Sequence, residues 1–187
     1  MEYNEIQGYV GAQITKLTLP TQYATATLAK LRRGIGKELG ALPNLFEITV
    51  GGLPDNADAN ALNAIYTALT LFAVHQQGQG AQMSGRNSFG RACRALLKYN
   101  EEADKSKKRR FDAAATSADI TEFANHARSL IGLLKAAAIP LDYPAFAVDL
   151  YKFANANSRN NVRLQWGRDF YKEARGDEDR NENEEKA

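Results

Sequence analysis

One pattern constrains this chain more than any other: where apolar residues recur, they recur every three or four positions. Tyr3, Ile6, Val10, Ile14 and Leu17 do so, which is the spacing that lines one face of an α-helix. Leu62, Ile65, Tyr66, Leu69 and Phe72 repeat it after an Asp/Asn-rich stretch, PDNADAN, suited to N-capping. Phe123, Ala127, Leu130, Ile131 and Leu134 form a third stripe. Asp119, with Glu122 three residues on, supplies a capping pair at its start. Val162, Trp166 and Phe170 make a fourth. Strand-like alternation is weak. FEITVGG at 46–52 is the one candidate, and a single short strand has nothing to pair with. The chain is expected to be all-α.

Loops are marked by Gly and Pro. GIGKELGALP closes the second helix and GGLPDNAD leads into the third. QQGQGAQMSGRNS, at 76–88, reads as a polar, mobile loop. AAAIPLDYP turns the chain near 140, with Pro144 tolerated in the first turn of the next helix. No internal repeat is visible. At 187 residues and 44% hydrophobic content, the chain suits one domain or two small lobes sharing a core. The single cysteine, Cys93, excludes an internal disulfide framework and fits a reducing cytosol. No basic N-terminal segment precedes an apolar stretch, so no signal peptide is expected. The longest apolar run, LIGLLKAAAIPL, contains Lys135 and is too short to span a bilayer. A cytoplasmic protein away from membranes is the expectation.

The net charge of +2 hides an uneven distribution. Residues 176–187, GDEDRNENEEKA, hold six acids and two bases, a net of −4, so the first 175 residues carry +6. Residues 86–110 hold nine bases (Arg86, Arg91, Arg94, Lys98, Lys105, Lys107, Lys108, Arg109, Arg110) against three acids, which is again +6. One segment accounts for the whole excess of the body. Such concentration is the electrostatic footprint of a polyanion binder; a solvated charged face is the alternative. The tail after residue 172 lacks large apolar residues and is expected to be disordered.

The stretch LAKLRRGIGKELGALP, residues 28–43, sets basic side chains among Gly34, Gly36 and Gly40. It is not a P-loop, because Glu38 follows Lys37 where a Ser or Thr should hold magnesium, and the preceding residues read as helix. Its glycines miss the dinucleotide fingerprint by one residue. Two readings remain. Gly34 ends a helix as its C′ residue, with cations complementing the dipole, or the arginines touch phosphodiesters.

Helical geometry extends the charge pattern. A helix from Phe89 onward puts Phe89, Cys93, Leu96 and Leu97 on one face, with Arg91, Arg94 and Lys98 nearly opposite. KSKKRRF follows, with Phe111 as a core anchor. Arg128 and Lys135, and then Arg159 and Arg163, lie along flanks of later helices. Cations spaced along several helices suit tracking a phosphate backbone, not clamping one phosphate. Base reading has little support. Phe89, Phe111, Phe123, Phe146, Phe153, Trp166 and Phe170 fall on apolar stripes, which leaves Tyr99 and Tyr151 as candidate stacking residues.

Catalysis is not expected. His75 and His126 each stand alone on a helix, with no metal-ligand spacing around them. Cys93 sits on an apolar face as an inert thiol. Asp142 and Asp149 read as capping and surface residues, not as a two-metal site. No cofactor or metal is implied.

The motifs nevertheless occur in an informative order: LAKLRRGIGKELGALP, LTLFAVHQQ, SFGRACRAL, KKRRFDAAATS, ARSLIGLLKAAAIPLDYPAFAVDL and VRLQWGRDFY. Together they resemble the CasB family, small subunits of the type I-E CRISPR surveillance complex, Cascade. The resemblance covers residues 5–172 and leaves the acidic tail outside. It implies two small packed helical bundles, divided here as 1–112 and 113–172 with a tail at 173–187, and no catalytic role. It implies other Cascade subunits, a guide RNA, a second copy of the chain and target DNA as partners. The DNA contact is mainly to the displaced, non-target strand, so that the R-loop is stabilised. The nucleic-acid-binding positions it implies are Arg32 and Arg33 in LRRG, Arg91 in SFGRA, Arg109 and Arg110 in RRFD, and Arg128. Arg86 and Arg163 match in stretches of variable length. Lys98, Lys107 and Lys108 come from the charge pattern of this chain. A purely architectural helical subunit, acting through protein or guide-RNA contacts, is the alternative.

Overall fold

The computed structural model describes residues 1–98 and 100–172. Tyr99 and the acidic tail, two subjects of the sequence reading, lie outside them. The described residues form helices α1 (Tyr3–Leu17), α2 (Gln22–Arg32), α3 (Phe46–Thr49), α4 (Ala59–Gln76), α5 (Phe89–Arg94), α6 (Glu101–Ala115), α7 (Ile120–Ala136), α8 (Tyr143–Ala154) and α9 (Ala156–Tyr171). The fold is all-α. FEITVGG contributes the short α3, in which buried Thr49 donates its hydroxyl to the Leu45 carbonyl at 2.8 Å.

The helix starts follow the sequence closely. Thr21, Asp58, Ser88, Asn100, Asp119 and Asp142 each accept a hydrogen bond from the backbone N–H three residues on. Each such cap contributes about 1 kcal/mol. The Asp119/Glu122 pair forms with one difference: the Glu122 carboxylate reaches Ala118 N at 2.6 Å rather than the cap residue itself. Pro144 lies in the first turn of α8, where no intrahelical donor is lost.

α4 is the axis of the molecule. Ala61, Ala64, Ala68 and Ala73 alternate with Ile65, Leu69, Leu71 and Phe72, all fully buried. A helix apolar on every side must be covered on every side. It is packed by α1, α2, α7 and α8. α1, α2, α4 and α8 pack together, as do α5, α6, α7 and α9, and the α4–α7 and α8–α9 contacts join the two groups. α8 packs on α1 and α4, and α5 packs on α9. One contiguous apolar cluster runs through both groups from Ile6 to Phe170.

The second group is built on aromatics. Phe89 lies 5.1 to 5.9 Å from the ring centres of Phe111, Phe123, Phe146 and Trp166. Phe111 stacks on Phe170 at 3.9 Å. All seven aromatics assigned to the core from their stripes are buried.

The segment 76–88 corrects the expectation of a mobile loop. Met83 is buried, Gly85 N donates to Leu141 O at 3.0 Å, and Leu141 N donates to Met83 O at 3.1 Å. The Asn87 side chain donates to Pro140 O at 3.0 Å, and Asp142 N donates to Asn87 O at 2.8 Å. Backbone groups of two turns, distant in sequence, satisfy each other. Local composition cannot show such a partner.

Candidate nucleic-acid interface

The RRFD motif divides into two halves with different tasks. Phe111 is buried between Phe89 and Phe170. Asp112 accepts the Tyr171 hydroxyl at 2.8 Å; burial, and after it this bond, push that phenol up to about 12. These contacts fix the roll of α6 about its axis. Arg109 and Arg110 are therefore turned outward and are exposed. Together with Ser106, Ala113, and His126 and Ser129 of α7, they line an open groove of about 390 Å³ between α6 and α7. Neither arginine has a carboxylate partner within salt-bridge distance among the described residues; Glu122 lies 3.8 Å from Nε2 of His126, a residue of the groove wall.

LRRG is built the same way. Leu31 is fully buried and Arg33 is exposed, with Arg32 half-buried beside it. α2 ends at Arg32 with Arg33 as its cap, so Gly34 occupies C′ as the first reading requires. Its backbone is not left-handed, however. Gly34 is demanded by room: its carbonyl accepts the Tyr66 hydroxyl at 2.7 Å, and a Cβ would collide with that oxygen. The left-handed residue is Gly36, with φ 71°, pressed against the Asn125 side chain of α7. The LRRG turn thus abuts α7 at Asn125, while α6 lines a groove with His126 and Ser129 of the same helix. Arg128 is exposed on that helix. The two arginine pairs and Arg128 are in this way attached to one element.

Other cations of the expected set are placed differently. The expected row of Arg91, Arg94 and Lys98 does not form, because α5 stops at Arg94 and Lys98 lies in the turn beyond it. The SFGRA motif is explained largely by packing on α9. Ser88 donates to Asp169, and a Cβ on Gly90 would collide with the Trp166 carbonyl. Arg91 is 3.8 Å from Asp169 with its side chain 68% exposed, a surface pair worth ~0–1 kcal/mol. Arg86 is exposed between Gly85 and Asn87, both tied to the 139–142 turn. Lys107 donates to the buried Asp104 at 2.9 Å. The backbone N–H groups of Lys98 and Asn100 bond the same carboxylate, and these contacts hold it down at about 2. Lys98 itself is exposed and Lys108 half-exposed.

Arg163 and its neighbour Arg159 are committed inside the protein. Arg163 donates to Ser117 O at 2.7 Å, just past the end of α6, and Arg159 Nε donates to Phe153 O at 2.8 Å, at the end of α8. Both guanidiniums lie over the Phe153 ring, at 5.5 and 5.6 Å. Carbonyls at a helix C-terminus lack intrahelical donors, and these arginines supply them.

The groups set aside for catalysis have structural placements. His75 is buried against the Tyr143 hydroxyl at 3.1 Å, and burial lowers it to about 4. Cys93 is fully buried, which pushes its thiol far up. Asp142 caps α8, whereas Asp149 is not the surface residue expected: it accepts the Trp166 indole N–H at 2.8 Å, and burial raises its pKa. No group of three or more potential metal ligands occurs among the described residues. No helix among them is long and apolar enough to cross a membrane. Ser106, His126 and Ser129 are the groove residues that sequence reasoning passed over. Their i, i+3 spacing on α7 and the Ser106/Arg109/Arg110 grouping on α6 become a signal only once the two helices are known to be neighbours.

Fold and surface define an all-α protein that displays arginines from anchored motifs around one helix. Its sequence matches the family described as CRISPR-associated protein Cse2 over residues 27–171. Among solved structures it is similar to CasB from Thermobifida fusca, with 33% identity, a TM-score of 0.74, and coverage of 89% of this chain and 98% of that one. It shares its fold with a Cse2-family CRISPR-associated protein from Thermus thermophilus, at 19% identity and a TM-score of 0.70, covering 89% of this chain and 97% of that one. A structure of CasB from Thermus thermophilus, at 18% identity and a TM-score of 0.67, is covered to the same extent. No curated protein matches. The chain belongs to the Cse2 family of CRISPR-associated proteins, the CasB family that its ordered motifs resemble.

Proposed function

We propose that this chain is the non-catalytic small subunit of the type I-E surveillance complex, Cascade, in the cytoplasm. In that setting it holds nucleic-acid backbone, mainly the displaced non-target DNA strand, without reading sequence, and so stabilises the R-loop. One observation carries the reading: Arg109 and Arg110 stand side by side over an open groove, on a helix whose roll is fixed by Phe111 and Asp112. Guanidiniums without carboxylate partners suit phosphate oxygens. Arg32, Arg33 and Arg128 extend the path around α7. Arg86, Arg91, Lys98 and Lys108 continue it on the α5–α6 side. Lys107 and Arg163 support it through the turns they hold. Opening a duplex against a guide is a near-balanced exchange, so modest contacts to the displaced strand tip it.

The test is equilibrium binding of a labelled single strand across a salt series, beside R-loop lifetimes in the reconstituted complex. Wild type and Arg109→Glu/Arg110→Glu are compared. Expected are a steep salt slope that shallows in the variant and a shorter R-loop lifetime with the fold intact. Wild-type lifetimes in the variant would refute the proposal.

A second, architectural reading draws on the exposed apolar side chains Leu19, Tyr23 and Phe46 of the α1–α3 region, which suit contact with other subunits or a second copy. It predicts assembly defects when they are made polar, with strand binding by the free protein unchanged.

A further inference from the structure

A cavity of about 350 Å³ lies where α4, the N-terminal turns of α7 and the turn after LRRG meet. Its floor is rich in hydroxyls. Those of Thr70 and Tyr66 are committed, to the Thr67 carbonyl at 3.0 Å and the Gly34 carbonyl at 2.7 Å. The Thr67 hydroxyl has no hydrogen-bond partner among the described residues, although Thr67 is only 4% exposed. A buried hydroxyl left unpaired is costly. The sealed side-chain atoms without a partner among the described residues are His75 Nε2 and Arg163 Nε, so the Thr67 oxygen is open to the cavity that it lines.

The rim and walls narrow the chemistry of an occupant. Lys37, Glu38, Asn63 and Thr121 stand exposed around the opening, and no ion pair among the described residues engages Lys37 or Glu38. Their opposite charges suit neither a lone anion nor a lone cation. Ile120 and Ala124 supply an apolar wall. The volume is at the lower end for small-molecule sites. A small planar ring with donors and acceptors along one edge fits this lining, and a nucleobase is such a ring. The turn beside the cavity is fixed: Lys37 N donates to Gly34 O at 3.0 Å, and Gly36 is pressed against the Asn125 side chain. The turn holds Arg33 and Lys37 within about 11 Å of each other. A strand whose phosphate rests on Arg33 therefore brings a base to the rim.

We propose that this cavity is a nucleobase pocket, in which one unpaired base of a bound strand lies against Ile120 and Ala124 with its edge on Asn63, Thr67 and Thr121. The proposal rests on the nucleic-acid reading above and deepens it. Phosphates are common to single strands and duplexes and do not tell them apart. A base held in a pocket must leave its partner, which costs least where the strand is already single. The pocket therefore favours the displaced strand over duplex. It reads no sequence, because amides and hydroxyls both donate and accept and the pairing edge of every base carries donors and acceptors together.

Three probes test this on the full-length protein: a labelled single strand, an abasic strand of the same length, and free deoxycytidine. Wild type should bind the base-bearing strand roughly five- to tenfold more tightly than the abasic one. The two salt slopes should be equal, because the phosphates are equal in number. Thr67→Val, which keeps the side-chain shape, and Asn63→Ala, at an exposed position, should each cut that preference about threefold or more and leave abasic-strand affinity unchanged. Equal affinity of wild type for the two strands overturns the pocket and leaves the phosphate contacts standing. A preference that survives both substitutions also overturns it, since the base then sits elsewhere. If neither strand binds, deoxycytidine decides by NMR: shifts confined to the amides of 36–38, 63–70 and 120–124 keep the pocket and overturn the strand reading, and their absence overturns both.

Discussion

Arg109 and Arg110 on α6, and Arg159 and Arg163 on α9, look alike in the sequence: closely spaced arginines beside an apolar stripe. The structure gives them opposite fates. The first two are exposed over a groove. The second two close the ends of α8 and α6 with hydrogen bonds of 2.8 and 2.7 Å to carbonyls. The difference lies in what each flank faces. α9 follows α8 directly and crosses the end of α6, so its arginines meet helix termini whose carbonyls have no other donor. The outward flank of α6 meets only the shallow wall of α7. An arginine count therefore measures charge, whereas the availability of that charge depends on which helix ends lie nearby.

Four experiments challenge this contrast, in descending order of effect. Phe111→Ala should cost about 3–5 kcal/mol, seen as a lowered urea midpoint. It should also release the roll of α6, so strand binding falls although both arginines remain. Undiminished binding in folded variant protein would separate the groove from its anchor.

Acid comes next and acts on the core rather than on either pair. His75 is lowered from 6.5 to about 4 in the folded protein. The unfolded chain therefore takes up the proton first. The contribution of neutral His75 is complete above 6.5 and is lost as pH falls through the interval to 4, on the order of 3 kcal/mol. Urea melts from pH 7 to 4 should show this slope, and His75→Gln should flatten it.

Arg163→Ala comes third. It leaves the Ser117 carbonyl without its donor and should cost about 1–3 kcal/mol, with little change in the salt slope of strand binding. A large slope change with no stability loss would move Arg163 into the open set.

Last in stability terms is Arg109→Ala/Arg110→Ala. It should alter the urea midpoint by less than about 0.5 kcal/mol while reducing the single-strand salt slope by about 1.4, or ~0.7 for each phosphate no longer neutralised. Equal stability losses in both pairs would erase the distinction between them.

Much of this was legible in advance. The stripes on α1, α4, α7 and α9 gave the helices, and the Asp, Ser and Thr residues at their starts gave the caps, because both are local: period and capping act within a few residues. The clustering of charge in 86–110 was legible for the same reason. Three features were not. The helix from Phe89 ends at Arg94 because the Asp104 carboxylate, six residues beyond Lys98, draws the backbone N–H of Lys98 into a turn. The 76–88 segment is held by hydrogen bonds to the 139–142 turn. His126 and Ser129 belong to the groove because α6 and α7 pack side by side.

Residue order alone was enough to establish that this chain is helical, where most of its helices begin, which aromatics form its core, and to which family its ordered motifs point. Those properties follow from side-chain period, from short-range capping and from motif order, none of which needs a neighbour in space. Which cations are open was settled by the packing of the helices. A guanidinium bonds whatever acceptor lies within its reach, and whether that is an orphan carbonyl at a helix end, a buried carboxylate or an empty groove is fixed by helices far apart in the chain.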